Sequence, residues 1–172
     1  MSDVSVKPSG IEGLGLFAER SFGTGERIRR VNVVREVTED APLREELGER
    51  LDHCDYPDGK VVLIGFPDRH LNHSCDPNAY VLYLSDACYI VARRPIEAGD
   101  EITCDYSMNV TGGGQWPCHC GAARCRGTVV GDFFQLPHDM QYEYRALLAD
   151  WFVRRHQHRI DQFDADATSP QE

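Results

Sequence analysis

Four of the seven cysteines in this 172-residue chain have a spacing that suits a metal ion. Three of them form a Cys-x-Cys-x4-Cys cluster near the C-terminal third, and the fourth is a lone cysteine far upstream. A tetrahedral zinc site needs four ligands, and three plus one supply them. The sequence therefore predicts one closed, structural zinc site built from Cys75, Cys118, Cys120 and Cys125. His119 could compete as a ligand, although its place between two cysteines makes that geometry awkward.

One polar pair could form a pocket beside that metal, and a second polar pair is unremarkable by itself. The first is Asn72-His73, which lies just before the lone cysteine and would be pinned by the zinc. The second is Asp105-Tyr106, which follows a Gly-Asp-Glu-Ile turn. A pinned polar pair is what a ligand pocket requires, but a turn with satisfied side chains would look the same. Taken without further comparison, these residues leave the function open.

The composition limits the class of protein. Hydrophobic residues make up 41% and charged residues 27%, which is ordinary globular composition. The length predicts one domain with a small appendage, and no apolar run approaches the roughly 20 residues of a membrane span. The N-terminus lacks the apolar stretch of a signal peptide, so we expect an intracellular, cytoplasmic protein, nuclear if the source is eukaryotic. An odd cysteine count in a reducing compartment favours metal binding over disulfides.

The net charge is −10, from 28 acidic and 18 basic residues. Because phosphate binding relies on a basic surface, we expect no direct contact with nucleic acid. An acidic surface suits a cationic partner such as a Lys- or Arg-rich peptide, although solubility alone explains the charge at least as well. Lys7 and Lys60 are the only lysines, an arginine-heavy usage that weakly indicates a GC-rich bacterial source.

Strand-like segments dominate the first two thirds of the chain. The predicted strands are residues 31–37, 61–64, 80–84 and 87–92, the last two forming a hairpin. Leucines four residues apart predict one short helix over residues 42–51. Residues 17–28 resemble residues 91–102, which predicts two similar hairpins packed on one core unless the match arises by chance.

The C-terminal third carries a linker and a helix. Residues 111–115, Thr-Gly-Gly-Gly-Gln, are a flexible linker by composition. Residues 137–160 are predicted to form one amphipathic helix, with an apolar stripe of Met140, Tyr144, Leu147, Leu148 and Trp151. We expect this stripe to pack on the body of the protein, with dimerisation as the alternative. The expected state is a monomer or a weak homodimer.

Four segments, in order, resemble the signatures of the SET-domain protein-lysine methyltransferases. Residues 13–17, Gly-Leu-Gly-Leu-Phe, look like the family's N-terminal Gly-x-Gly segment, and residues 69–78 are similar to its Asn-His-Ser-Cys-x-Pro-Asn signature. Residues 99–106 match Gly-Glu-Glu-Leu-x-x-Asp-Tyr with conservative changes, and residues 118–127 look like the post-SET zinc loop. The resemblance covers about residues 4–128 and includes no cysteine-rich pre-SET region.

This resemblance implies a mainly β fold, the β-clip or SET fold. Small curved sheets with a pseudoknot would thread the Asn-His and Asp-Tyr segments together, and a zinc-binding post-SET loop and a C-terminal α-helix would follow. The implied boundaries are residues 4–110 for the SET domain, 115–128 for the post-SET segment and 137–160 for the amphipathic helix.

The resemblance also implies S-adenosylmethionine in an open cleft, with a substrate lysine entering from the opposite face. The implied cofactor-binding residues are Gly13, Leu14, Gly15, Asn72, His73, Tyr106 and Trp116. The implied catalytic residues are Tyr106, where methyl donor and amine would meet, and Tyr80, which would line the lysine channel. The implied reaction is methyl transfer to the ε-amine of lysine in a histone or another basic segment.

The chain departs from the family pattern at two places. Cys104 stands two residues before the implied catalytic tyrosine, where Phe or Tyr is usual. We expect its small side chain to leave room for di- or trimethylation, unless Tyr80 or the C-terminal helix fills the space. Leu71 stands where an aromatic residue is common.

Two other classes of function remain as alternatives. One is a non-catalytic SET-like module that binds a peptide or partner, and retention of the Asn-His pair and the implied catalytic tyrosine favours an enzyme over it. The other is a small zinc-stabilised structural or nucleic-acid protein, which the charge of −10 disfavours.

Overall fold

The computed structural model of the chain describes residues 2–85 and 87–168, which form mainly short strands. The strands are β1 (Val4–Pro8), β2 (Leu14–Ala18), β3 (Arg27–Arg30), β4 (Val33–Val37), β5 (Cys54–Asp55), β6 (Val61–Ile64), β7 (Asn72–His73), β8 (Ala79–Tyr83), β9 (Cys88–Ala92), β10 (Glu101–Cys104), β11 (Gln115–Pro117) and β12 (Thr128–Val130). The α-helices are α1 (His138–Tyr144), α2 (Asp150–Arg155) and α3 (Gln157–Thr168). The prediction of a mainly β protein is confirmed.

The strands form four small sheets. The largest has the order β1-β2-β10-β7, two three-stranded sheets have the orders β3-β9-β8 and β4-β6-β5, and β11 pairs with β12. The predicted hairpin is present as β8 and β9, which are antiparallel. In the four-stranded sheet, β7 and β10 run parallel, with Asn72 opposite Thr103 and His73 opposite Cys104. This pairing brings the Asn-His and Asp-Tyr segments side by side, as the family resemblance implies.

The two similar segments of the internal repeat pair with each other around a common core. Phe22 donates its N–H to the carbonyl of Ile96 at 2.8 Å, and Ile96 donates back to Phe22 at 3.0 Å. Gly25 and Gly99 occupy matching turn positions with φ of 79° and 96°, a region that glycine adopts without strain. The two segments do pack on one core, as predicted. The prediction that each is a hairpin is wrong, because β2 pairs with β10 and β3 pairs with β9, so the strands of one segment pair with those of the other.

Two hydrophobic clusters stabilise the molecule. The first lies among the sheets and comprises Val4, Leu16, Ala18, Phe22, Ile28, Ala79, Ile90, Ala92, Ile96 and Ile102. The second comprises Met108, Phe133, Leu136, Met140, Tyr144, Leu148, Ala149, Phe152 and Ile160. The second cluster buries one side of the C-terminal helices, and Tyr80 and Tyr83 of β8 pack against it. The C-terminal helices therefore support the strand that carries Tyr80.

The prediction of one continuous helix over residues 137–160 is wrong. After α1, a 3-10 turn at Arg145–Leu147 leads into extended backbone at Leu148 and Ala149, before α2 begins. The Ala149 N–H donates to the Asn109 side chain at 2.8 Å, and Leu148 and Ala149 are both buried. Tertiary packing and this hydrogen bond therefore override the helical periodicity. The apolar stripe does pack on the chain's own core, as expected.

The helix predicted over residues 42–51 is also wrong. Two 3-10 turns, Glu45–Leu47 and Leu51–His53, stand in its place, and Gly48 between them has a left-handed φ of 76°. Leu47 and Leu51 are 66% and 64% exposed, so no apolar face is available to stabilise a helix. Within residues 2–85 and 87–168, no helix is long and apolar enough to cross a membrane.

Candidate active site

The four cysteines predicted as zinc ligands lie together. The Sγ atoms of Cys75, Cys118, Cys120 and Cys125 are all within 4.8 Å of one another. The Cys75 and Cys118 sulfurs are 3.6 Å apart and none of the four forms a disulfide. A zinc ion with Zn–S bonds of about 2.3 Å holds tetrahedral sulfurs about 3.8 Å apart, so the cluster is compatible with zinc. His119 does not belong to it.

Backbone N–H groups point at sulfurs of the cluster. The Arg126 N–H points at the Cys75 sulfur at 3.4 Å, and the Cys75 N–H points at the Cys120 sulfur at 3.5 Å. Burial raises the pKa of the Cys120 thiol, but hydrogen bonds from the N–H groups of Cys75 and Ala122, together with those from the Cys118 and Cys125 side chains, lower that pKa to about 7. Gly121, with φ of 67°, makes the tight turn after the second clustered cysteine.

His73 connects the cysteine cluster to the Asp-Tyr segment. Its Nδ1 accepts the Tyr106 N–H at 3.2 Å, and its Nε2 lies 3.4 Å from the Cys75 sulfur. The first contact requires an unprotonated Nδ1, so Nε2 carries the proton and donates it to the sulfur. Burial, only partly opposed by Asp105, lowers the pKa of His73 to about 4, so the ring is neutral. Both ring nitrogens are therefore engaged within the protein, and the ring lies behind the cleft wall.

Asn72 holds the turn that carries the glycine segment. Its side-chain amide donates to the carbonyls of Glu12 and Leu14, each at 3.1 Å, and to the Glu101 carboxylate at 2.8 Å. A Cβ at Gly15 would collide with that same carboxylate. A side chain at Gly15 would therefore have to displace the Glu101 carboxylate, and Asn72 couples the N-terminal segment to β10.

One cleft of about 1390 Å³ joins most of the predicted site residues. Its walls include Gly13, Leu14, Asn72, Tyr80, Cys104, Tyr106 and Trp116. Gly15 and His73 stand outside this set of lining residues. The volume exceeds the roughly 300–1,000 Å³ of a typical small-molecule pocket. It therefore leaves room for a second ligand group beside a cofactor.

Tyr106 presents its hydroxyl oxygen next to a backbone carbonyl. The hydroxyl donates to the Leu71 carbonyl at 2.7 Å, and 38% of the residue is exposed where it lines the cleft. Enclosure of the phenol raises the pKa of Tyr106 well above its usual value, so the group stays protonated. Its proton is directed at Leu71, which leaves the lone pairs of the Tyr106 oxygen free to accept from another group.

A buried ion pair behind Tyr106 was not predicted from the sequence. Arg126 donates two hydrogen bonds to the Asp105 carboxylate, at 2.7 and 2.9 Å, in a bidentate arrangement. The side chain of Asp105 is fully buried and that of Arg126 is 12% exposed. The Tyr144 hydroxyl of α1 donates to the same carboxylate at 3.3 Å. Because Arg126 directly follows a cluster cysteine, this pair joins the cysteine cluster, the Tyr106 segment and the C-terminal helices.

A second group of charges fastens α1 to the cysteine loop. Glu143 of α1 pairs with Arg93 at the end of β9 and with Arg124 of the loop, the latter at 2.9 Å. Arg124 also lies 3.6 Å from Asp139. The charged, outward face of α1 therefore supports the cysteine loop, while its apolar face packs in the core.

Comparison with known proteins agrees with this arrangement. The SET domain family matches residues 13–107, more than half of the chain. The chain belongs to the SET-domain family. The matched range contains the glycine segment, the Asn-His strand and the Asp-Tyr segment, whereas three of the four cluster cysteines follow it.

Several curated SET-domain relatives are histone methyltransferases by name. Human "Histone-lysine N-methyltransferase 2B" is 34% identical over 137 residues, covering 72% of this chain and 5% of that protein. The "Histone-lysine N-methyltransferase, H3 lysine-4 specific" of Cryptococcus neoformans is 33% identical, covering 69% of this chain and 9% of the relative. The "H3 lysine-36 specific" enzyme of Candida albicans is 30% identical, covering 72% and 16% respectively. The chain thus spans a small part of the length of these relatives.

A solved structure is similar as well. It is a putative histone methyltransferase of Plasmodium falciparum, 22% identical, with a TM-score of 0.47, covering 60% of this chain and 91% of that one.

Proposed function

We propose that this protein is an S-adenosylmethionine-dependent protein-lysine methyltransferase. The observation that carries the proposal is the parallel pairing of β7 with β10, which places Asn72 and Tyr106 on one cleft beside the glycine segment. We propose a SET domain at residues 4–110, a post-SET segment at 115–128 and a C-terminal helical region at 137–160.

The residues of the cleft fit the cofactor. Gly13 and Leu14 offer backbone groups at the wall, Asn72 fixes their turn, and Trp116 supplies an exposed aromatic face for an adenine ring. Gly15 would act indirectly, because it leaves room for the Glu101 carboxylate that holds Asn72. His73 would act through its backbone and by positioning Tyr106, because its ring nitrogens are already engaged. S-adenosylmethionine would supply a methyl group activated by a sulfonium.

Tyr106 orients the reacting groups in this proposal and is not a base. Its hydroxyl donates to the Leu71 carbonyl at 2.7 Å, so the lone pairs of the Tyr106 oxygen stay available to face the cleft. An oxygen dipole placed there favours a methyl group that carries positive charge during transfer. Because transfer to an amine is an in-line displacement, holding donor and acceptor in line is the main contribution of the protein. Tyr80 would line the path of the lysine stem from the same cleft.

The proposed substrate is a lysine in a histone or another basic segment. The relatives' names support a histone, and a net charge of −10 suits a basic tail. Their organisms are eukaryotic, so they lend no support to the predicted bacterial source. Cys104 stands in the cleft wall, and we propose that its small side chain permits di- or trimethylation. Mass spectrometry of the product should show more than one methyl group, and a strictly monomethyl product would contradict this.

The cysteine cluster would hold one structural zinc ion. Four thiolates leave no open coordination position, so the metal would stabilise the loop and take no part in the chemistry. Through the sulfur of Cys75 and the ring of His73, the metal site would also fix the backbone of Tyr106.

The experiment that tests the function has two stages. S-adenosylhomocysteine is titrated into the zinc-loaded protein by calorimetry, and methyl transfer to core histones is then followed with a radiolabelled donor. One-to-one binding and labelled histone are the expected results. Binding without transfer to any lysine substrate would favour the non-catalytic peptide-binding module. The absence of both, in folded protein, would overturn the proposal.

A further inference from the structure

The cleft contains a carboxylate that the proposed reaction does not use. Asp55 ends β5, where its Oδ2 accepts the Tyr83 hydroxyl at 2.6 Å and its Oδ1 accepts the Tyr56 N–H at 2.8 Å. Tyr83 in turn packs edge-on against Trp151 of α2, with ring centroids 6.0 Å apart. The carboxylate is therefore held in one orientation by two donors, and one of those donors is fixed by the C-terminal helices.

This pair belongs to the proposed lysine side of the cleft. Asp55 and Tyr83 line the same cleft as Tyr80, Cys104 and Tyr106. The Cys104 thiol has its pKa raised by burial first and then by the nearby charges of Asp105 and Asp55, so Asp55 lies within electrostatic reach of it. Cys104 is two residues from Tyr106, where the amine would react.

Asp55 has no cationic partner in the part of the chain that the structure describes. The ion pairs found there within 4.0 Å do not include Asp55, whereas Asp52 in the same cleft is paired with Arg50 at 2.8 Å. Burial raises the pKa of Asp55, and the hydrogen bonds from Tyr83 and Tyr56 act in the opposite direction. Asp55 is partly buried, and a partly buried carboxylate without a counter-ion is stabilised when a ligand supplies the missing positive charge.

We propose that Asp55, held by Tyr83, is the specificity residue that recognises the cationic ammonium group of the substrate lysine as it enters the cleft. The proposal rests on the proposed function. The apolar stem of the lysine would lie along Tyr80, and the ammonium would form the ion pair that Asp55 otherwise lacks. Asp55 acts on recognition alone, and proton loss and methyl transfer belong to the neighbouring Tyr106 region.

The test compares two tail peptides of histone H3 that differ by one charge. The lysine methylated by the wild-type protein, mapped by mass spectrometry, is kept in one peptide and replaced by norleucine in the other. Norleucine retains the four-carbon stem and removes the ammonium group. Affinities are measured by fluorescence anisotropy with saturating S-adenosylhomocysteine, so that no turnover occurs. The wild-type protein should prefer the lysine peptide by at least about 30-fold, which is the lower range for a desolvated charge pair.

Variants then locate the source of this preference. Asp55→Asn should reduce it to within about threefold, and Asp55→Glu should keep most of it because the charge is retained. Asp52→Asn is the matched control: it removes an already paired carboxylate from the same cleft and should leave the ratio unchanged. If Asp55→Asn does not fold, the double variant Asp55→Leu/Tyr83→Phe replaces both partners by apolar groups, a change that proteins tolerate better, and should lose the preference equally.

The outcomes separate the two proposals. Suppose that the wild-type protein methylates histone H3, but Asp55→Asn or the double variant keeps the full preference for the lysine peptide. This result would overturn the role of Asp55 and leave the proposed function intact. If Asp52→Asn loses the preference for the lysine peptide equally, the overall negative charge of the cleft, and not the Asp55–Tyr83 pair, selects the lysine. A wild-type protein that neither binds nor methylates the tail would overturn the histone substrate itself, and the role of Asp55 with it.

Discussion

Replacing Arg126 by alanine should lower the free energy of unfolding by about 3 kcal/mol. The Arg126 side chain is 12% exposed and its partner Asp105 is 0% exposed. Removing one member of a buried pair typically costs about 3–5 kcal/mol, because the remaining charge is left uncompensated. We expect the lower end of that range, because the Ser107 N–H at 3.0 Å and the Tyr144 hydroxyl at 3.3 Å still donate to Asp105.

Urea unfolding of the zinc-loaded protein measures this change. Zinc is kept in constant excess, because a ligand that binds only the folded state shifts the apparent stability. For a chain of this size, a loss of about 3 kcal/mol corresponds to a fall in Tm of roughly 6–12 °C. Arg124→Ala is the matched control, since it removes another arginine of the loop whose pair with Glu143 is 40% and 33% exposed. That exposed pair should contribute less than about 1 kcal/mol.

The pair should also affect the site, because Asp105 immediately precedes Tyr106. Methyl transfer by Arg126→Ala should fall further than the affinity for S-adenosylhomocysteine does. Arg126→Lys keeps the charge but loses the bidentate geometry, so its stability should lie between those of the wild type and the alanine variant. Equal, small losses for Arg126→Ala and Arg124→Ala would refute the reasoning, since burial would then make no difference to the pair.

Three further substitutions address the rest of the site. Cys75→Ser should lower both the bound zinc and the affinity for S-adenosylhomocysteine, because the sulfur also accepts from His73, and a full zinc complement would contradict the four-cysteine ligand set. Tyr106→Phe should reduce methyl transfer about a hundredfold with little change in cofactor binding by calorimetry, and near-normal turnover would contradict its role. Gly15→Ala should weaken cofactor binding because the added Cβ displaces Glu101. Gly10→Ala is the control, since Gly10 has open space around it. Equal affinities of the two variants for S-adenosylhomocysteine would contradict the argument from close approach.

Ligand clusters and motifs were the predictable part of this protein. The spacing of Cys118, Cys120 and Cys125 indicates a metal loop because short intervals bring three sulfurs together within one turn of the chain. The prediction that Asn72 and Tyr106 lie close together came from the family resemblance and not from periodicity. Their roles in catalysis and cofactor binding stay predictions until the variants are measured.

Contacts between distant residues were not predictable in the same way. The apolar stripe of the C-terminal helices continues through the break at Ala149, so the periodicity gave no signal that the Asn109 amide would capture a backbone N–H there. The pairs Arg126–Asp105 and Asp55–Tyr83 join segments far apart in the chain. The position of a single charged or phenolic residue in the sequence does not indicate which residue it will contact. Such pairs become visible only when the fold sets the distances.

The reciprocal hydrogen bonds between Phe22 and Ile96 bear on the ancestry of the chain. Two strand-turn-strand units that donate to each other in the same way are related by an approximate two-fold axis, which is the arrangement that gene duplication of a small dimer-forming peptide would leave. The copies have since diverged at the position where it matters for the site: Arg27 in the first copy corresponds to Glu101 in the second, and Glu101 holds Asn72. In the proposed function only the second copy contributes a residue that supports the site, so a symmetrised protein rebuilt from two first copies should fold yet lack the contact between Glu101 and Asn72.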